Sequence, residues 1–169
     1  MPTVDFYYDV VCPYAYLAFT QMPDFAKRTG AIINYKPMLL GGVFKSIDAP
    51  LVPMNSMPQS KQQMNLWDMQ RWAEHFEQPF KFPNGHPRRT VEAMRAVHAS
   101  SNPISTSQAL YTAYWVEGLD VFHNPNAKHP IPLWMLPGVA HHRLLSDGQM
   151  ESHTPDWHPL GSFTKITIM

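Results

Sequence analysis

The stretch VDFYYDVVCPYAYLAFTQMPDFAKRTG, Val4 to Gly30, decides how this chain is read. Its first part, Val4-Asp5-Phe6-Tyr7-Tyr8-Asp9-Val10-Val11, is aromatic and β-branched, as a buried strand is. Cys12, the chain's one cysteine, stands at the corner. Pro13 follows where a helix takes its first residue, a place where a missing N–H is harmless. Tyr16, Leu17, Phe19, Thr20 and Phe25 then form a helical stripe, with a kink or break expected at Pro23. Lys27 and Arg28 suit the negative end of that helix, and Gly30 suits its stop. Ala31 to Lys36 predicts a second strand, closed by Pro37. The order strand, helix, strand is a βαβ unit, in which parallel pairing and a right-handed crossover are expected.

Beyond it, Met38 to Lys45 reads as a turn hinged at Gly41-Gly42, and residues 46–60 as a loop with Pro50, Pro53 and Pro58. From Ser60, a candidate N-cap, to Phe76, the residues Met64, Trp67, Met69, Trp72, Ala73 and Phe76 recur at helical intervals. These large side chains read as core packing before they read as a ligand box. A loop over Phe80–Pro87 leads to two more helices, Arg88–His98 and Thr106–Glu117, the second ended by Gly118. In residues 123–169 prolines and histidines are scattered without a lasting period, and only the last few residues look like a strand.

A chain of 169 residues with 44% apolar and 15% charged residues suits one domain with a real core. Thirteen basic residues balance thirteen acidic ones, which favours neither nucleic acid nor a membrane surface as partner. A lone cysteine excludes an internal disulfide framework and fits a reducing compartment. With no basic leader before an apolar run, and no run long enough to span a bilayer, a cytoplasmic location is expected. His123, His129, His141, His142, His153 and His158 match no metal-ligand spacing and bring no cysteine or carboxylate pattern, so no metal is expected.

A thiol at a helix N-terminus faces unpaired N–H groups and the positive end of the helix dipole. Both favour thiolate, so a Cys12 pKa below that of a free thiol is expected. Ala15 stands where a dithiol motif would carry its second cysteine, which leaves two chemical roles: donating a hydrogen bond to another thiolate, or monothiol exchange. The plain alternative is a small apolar side chain filling a strand–helix corner. Lys45 offers a point charge for a carboxylate, or is an ordinary solvated lysine. Asn55 is a ligand-orienting amide or a turn residue. Arg88 and Arg89 could pair with a carboxylate or simply begin a helix.

Several motifs, in order, resemble the 2-hydroxychromene-2-carboxylate isomerases and the related kappa-class glutathione transferases. They are VDFYYDVVCPYAYLA, YKPMLLGGVFK, KQQMNLWDMQRWA, PFKFPNGHPRRTVEAMRA and ALYTAYWVEGLD. The resemblance covers roughly the first 120 residues and implies a DsbA-like thioredoxin fold, α/β in class. A βαβ unit would span residues 1–122 with a helical insertion over roughly 46–105. It implies glutathione as cofactor, bound at the N-terminus of the first helix, and an aromatic acid as substrate. Glutathione sulfur would add to the hydroxychromene carboxylate, and ring opening, rotation and loss of sulfur would give trans-benzylidenepyruvate. Carried over by position, Cys12 would face the glutathione sulfur where the family usually has serine, followed by Pro13 and Tyr14. Asn55 and Lys61 would hold glutathione; Lys45, Asn55, His86 and Arg88 would hold substrate. The resemblance stops after Gly118-Leu119-Asp120: the family's later proline-containing motif and its ββα ending do not follow, so that part is read as missing or replaced and residues 123–169 as an atypical tail. Three functions stay open: a glutathione-dependent isomerase or transferase, a monothiol DsbA-like oxidoreductase using Cys12, and an inactive or binding-only protein. A small aromatic carboxylate is the expected partner, and a second copy of the chain is an open one.

Overall fold

The computed structural model describes residues 1–119 and the strand segments 141–144 and 150–153. The opening unit is as expected in kind. Strand β1 (Thr3–Tyr8) leads to helix α1 (Pro13–Thr29) and strand β2 (Ile32–Pro37), and the strands pair in parallel from Thr3↔Ile32 to Tyr8↔Pro37. Because side chains alternate along a strand, Phe6 and Tyr8 share one face. Their rings stack at 5.5 Å, and Tyr35 of β2 and Phe19 of α1 close edge-on or tilted around them. Gly30 ends α1 in the left-handed conformation, φ 66°, with its N–H donating to the carbonyl of Ala26 at 2.9 Å. Of the kink or break expected at Pro23, the break does not occur: α1 runs through it. A mid-helix proline costs about 3 kcal/mol, and burial of Tyr16, Leu17 and Phe19 on the same helix offsets it.

The glycine-hinged turn expected at Met38–Lys45 is instead a short helix, α2 (Leu40–Ser46). Its first free N–H, that of Leu40, donates to Asp9 Oδ2 at 2.9 Å, a cap supplied from a different part of the chain. A 3-10 turn over Pro53–Ser56 leads to α3 (Gln59–His75), whose N-cap position is Pro58 and not Ser60. Only Met69 and Ala73 are fully buried on α3. Met64, Trp67 and Trp72, read from the sequence as core, are 54%, 57% and 44% exposed.

Helix α4 (Val91–Ala99) begins later than Arg88, while α5 (Pro103–Tyr111) begins earlier than Thr106, where Asn102 caps it by accepting the Ser105 N–H at 3.2 Å. α5 passes into a π-helical turn, Thr112–Val116. That wide turn buries Ala113, Tyr114 and Trp115 in succession. Trp115 packs on Tyr16, Phe80 and Phe82 and donates its indole N–H to the Val10 carbonyl at 2.9 Å. Tyr8 and Ser107 share a buried hydroxyl hydrogen bond of 2.8 Å. The βαβ unit and the helices α4 and α5 thus share one core.

In the stretch read as irregular, β3 (His141–Leu144) and β4 (Met150–His153) pair antiparallel, His141 opposite His153. The strand expected at the end of the chain, and the expectation of a missing or replaced C-terminal part, lie outside the described residues. No described helix is long and apolar enough to cross a membrane.

Candidate functional site

Cys12 is the N-cap residue of α1, extended at φ −83° and ψ 117°, with Pro13 in the first helical position. Its N–H donates to the Asp9 carbonyl and its carbonyl accepts the Tyr16 N–H, both at 3.0 Å. The backbone on either side of the sulfur is therefore held. Cys12 is half-buried.

The expected drop in its pKa is not found. Burial pushes the Cys12 thiol up from its ordinary value, and the Asp9 carboxylate adds to the rise. The N–H groups of Ala15 and Tyr14 pull it back, but less strongly. Desolvation outweighs the helix terminus because the sulfur is covered while the N–H groups supply only partial charges. Cys12 is thus a protonated thiol at neutral pH.

Asp9, unmentioned among the sequence candidates, lies directly behind it and is 1% exposed. Its Oδ2 accepts the Leu40 N–H and the Thr90 hydroxyl, each at 2.9 Å, and its Oδ1 accepts the Val11 N–H at 3.2 Å. Burial raises its pKa, and these donors moderate the rise. An acid set between Tyr8 and Val10 in an apolar strand was the available signal, since acids are rarely fully buried without partners.

On the solvent side, the Tyr14 hydroxyl donates to Asp68 Oδ2 of α3 at 2.9 Å. Burial, then this hydrogen bond and the Asp68 charge, push the Tyr14 phenol up to about 12. Asp68 also went unnoticed in the sequence, where it is one of several polar residues on a helix.

No described hydrogen bond or ion pair joins Lys45, Asn55, Lys61 or His86 to this corner. Lys45 is exposed in the last turn of α2, Asn55 is exposed in the 3-10 turn, and Lys61 is exposed in the first turn of α3. His86 is half-buried, its Nδ1 hydrogen-bonded to the Tyr114 hydroxyl at 2.9 Å and its ring against Phe82 and Trp115. Burial lowers its pKa to about 4, so it is neutral at pH 7. Arg88 donates from Nη2 to the Asn84 carbonyl at 3.3 Å and lies across Gly85, where a Cβ would meet its guanidinium at 2.8 Å. Arg89 pairs with Glu92 at 3.1 Å on the surface.

What the arrangement offers is a thiol donor at a helix mouth, a fixed buried carboxylate behind it, and a phenol–carboxylate pair in front. Residues 3–129 match the DSBA-like thioredoxin domain. The chain is 37% identical over 81 residues to 2-hydroxychromene-2-carboxylate isomerase of Sphingobium xenophagum, covering 48% of this chain and 41% of that protein. It is 30% identical over 117 residues to the protein of that name from Pseudomonas putida, covering 69% and 57%. With glutathione S-transferase kappa 1 of Caenorhabditis elegans it shares 33% identity over 87 residues, 49% of this chain and 36% of that one. Among solved structures, selenomethionine 2-hydroxychromene-2-carboxylate isomerase superposes with a TM-score of 0.52 at 25% identity, over 69% of this chain and 58% of the other. The chain thus spans about 36 to 58% of the length of these relatives. With the βαβ unit, the helices that follow β2 and the matched residues in agreement, the chain belongs to the DSBA-like thioredoxin domain family.

Proposed function

We propose that the chain is a glutathione-dependent isomerase or transferase acting on a small aromatic carboxylate, as the names of its relatives suggest. The observation that carries this reading is the half-buried position of the Cys12 thiol at the N-terminus of α1, where burial raises its pKa. A protonated thiol can donate a hydrogen bond to a ligand sulfur, as a serine hydroxyl would. Glutathione, when bound, would supply the nucleophilic sulfur. Cys12 would orient that sulfur, Pro13 would fix the first turn, and Tyr14, held by Asp68, would line the approach. Asn55 and Lys61 would contact the tripeptide. Lys45, Asn55, His86 and Arg88 are the substrate candidates, and Lys45, exposed on α2, is the one free to meet a carboxylate as a point charge.

The same observation weighs against monothiol exchange, which needs thiolate. Calorimetric titration with glutathione, on protein shown to be folded by circular dichroism, tests the proposal. Heat of binding is expected; its absence would defeat both the isomerase and the exchange readings. Conversion of 2-hydroxychromene-2-carboxylate in the presence of glutathione is expected to survive Cys12→Ser. Thiol–disulfide exchange with a glutathione disulfide, which needs the Cys12 sulfur, should vanish in that variant; exchange activity in the wild-type chain without isomerisation would favour the oxidoreductase reading.

A further inference from the structure

Among the described residues Asp9 is the one fully buried acid, 1% exposed at the junction of β1 and α1. A buried carboxylate keeps its charge only where donors meet it. Three do: the Leu40 N–H and the Thr90 hydroxyl at 2.9 Å, and the Val11 N–H at 3.2 Å. Thr90 is itself buried and reaches Asp9 from the start of α4. The titratable side chains around the Cys12 sulfur, among the described residues, are Asp9, Tyr14 and Tyr111. Burial pushes the Tyr14 phenol up to about 12 and the Tyr111 phenol well above its ordinary value, so both are uncharged near neutral pH. Of the three, Asp9 alone is an anion there. It is sealed from solvent while Cys12 is half-buried, so a ligand sulfur approaches Cys12 from the open side, away from the carboxylate.

Two sulfurs would then share one negative charge. Burial does not separate them, because it covers both. The Ala15 and Tyr14 N–H groups draw charge toward Cys12, and Asp9 opposes them. Repulsion falls with distance, so the carboxylate penalises charge on Cys12 more than charge on the sulfur beyond it. We propose that Asp9, clasped by Thr90, is a positioning residue that keeps the proton on Cys12 and leaves the negative charge on the ligand sulfur. The assignment rests on the glutathione reading and names what commits Cys12 to donation rather than exchange. The thiol proton of the ligand leaves to solvent. Cys12 keeps its own S–H and donates it as a hydrogen bond, and no covalent bond of Cys12 is made or broken. Exchange would instead need Cys12 as thiolate, attacking a disulfide sulfur with loss of the other sulfur as thiolate.

The test is nuclear magnetic resonance of the full chain, isotope-enriched at cysteine Cβ, whose chemical shift separates thiol from thiolate. Cys12 is the one cysteine, so its signal is single. Circular dichroism checks folding, and calorimetry checks that glutathione is bound. In the wild type at neutral pH, saturating unlabelled glutathione is expected to leave Cys12 Cβ at its thiol position. With the label on glutathione instead, its cysteinyl Cβ is expected at the thiolate position. In Asp9→Asn, binding is expected to move Cys12 Cβ toward the thiolate position. Asp9→Ser, equally neutral and able to accept the Val11 N–H two residues on, serves where the asparagine variant does not fold. A merely structural role for Asp9 would not move this signature. A wild-type complex with Cys12 at the thiolate position overturns the assignment, as does a bound variant whose Cys12 signal stays at the thiol position. A folded wild type that binds no glutathione overturns the glutathione reading and the assignment together, whereas bound glutathione with an unmoved variant signal overturns the assignment alone.

Discussion

Helices α1 and α3 have the same length, 17 residues, and both carry large aromatic side chains at helical spacing. α1 buries Tyr16, Leu17 and Phe19 in the common core. α3 buries only Met69 and Ala73 and turns Trp67 and Trp72 outward. The difference shows that periodicity reveals a stripe but not what the stripe faces. On α1 the stripe meets a sheet two residues away in the chain; on α3 the small and flexible Ala73 and Met69 face inward, and the tryptophans are left over.

The widest gap between the two helices should appear in core truncation. Leu17→Ala is expected to cost about 3 kcal/mol in urea unfolding, whereas Trp67→Ala should change stability by no more than about 0.5 kcal/mol. Equal losses would erase the contrast. A smaller effect comes from pH on the packed side, through His86. Its folded pKa of about 4 lies below the ordinary 6.5. Above pH 6.5 both states are neutral; between 6.5 and 4 the unfolded chain takes up a proton that the folded chain refuses. Stability should therefore fall as pH drops through that window, by roughly 1–2 kcal/mol once partial solvent access is allowed for. His86→Gln should flatten the slope, which separates it from Asp9, whose raised pKa acts in the opposite direction.

Tyr14→Phe removes the one hydrogen bond described between α1 and α3 side chains. Because that bond is exposed, a loss of about 0.5 kcal/mol in the same urea assay is expected. The smallest effect concerns charge behind the thiol. Asp9→Asn should lower the Cys12 pKa, read from the pH dependence of alkylation by iodoacetamide, because the carboxylate contributes to the rise. A higher pKa in that variant would mean that the carboxylate does not raise the thiol.

The βαβ unit was legible because its punctuation is local: Pro13 opens α1 and Gly30 closes it. α2 was not, because Gly41 and Gly42 argue against a helix and the compensating bond comes from Asp9, thirty-one positions away. Cys12 was legible as a position, yet its proton affinity was read in the wrong direction. The helix terminus is visible in the sequence; the cover over the sulfur is not. Lys45, Asn55 and Lys61 were named from motif order, and the structure leaves them on exposed surface of separate elements. Asp68 drew no notice because its partner, Tyr14, lies fifty-four positions away.

Asp9 receives donors from Leu40 and Thr90, and its carbonyl receives the Cys12 N–H. One residue thereby fastens the starts of three helices. The cysteine corner is consequently not a portable module. A fragment that stops before residue 90 would keep every residue of the strand–helix junction and still lack a clasp at its back. Grafting this corner onto another scaffold would require a block of about ninety residues.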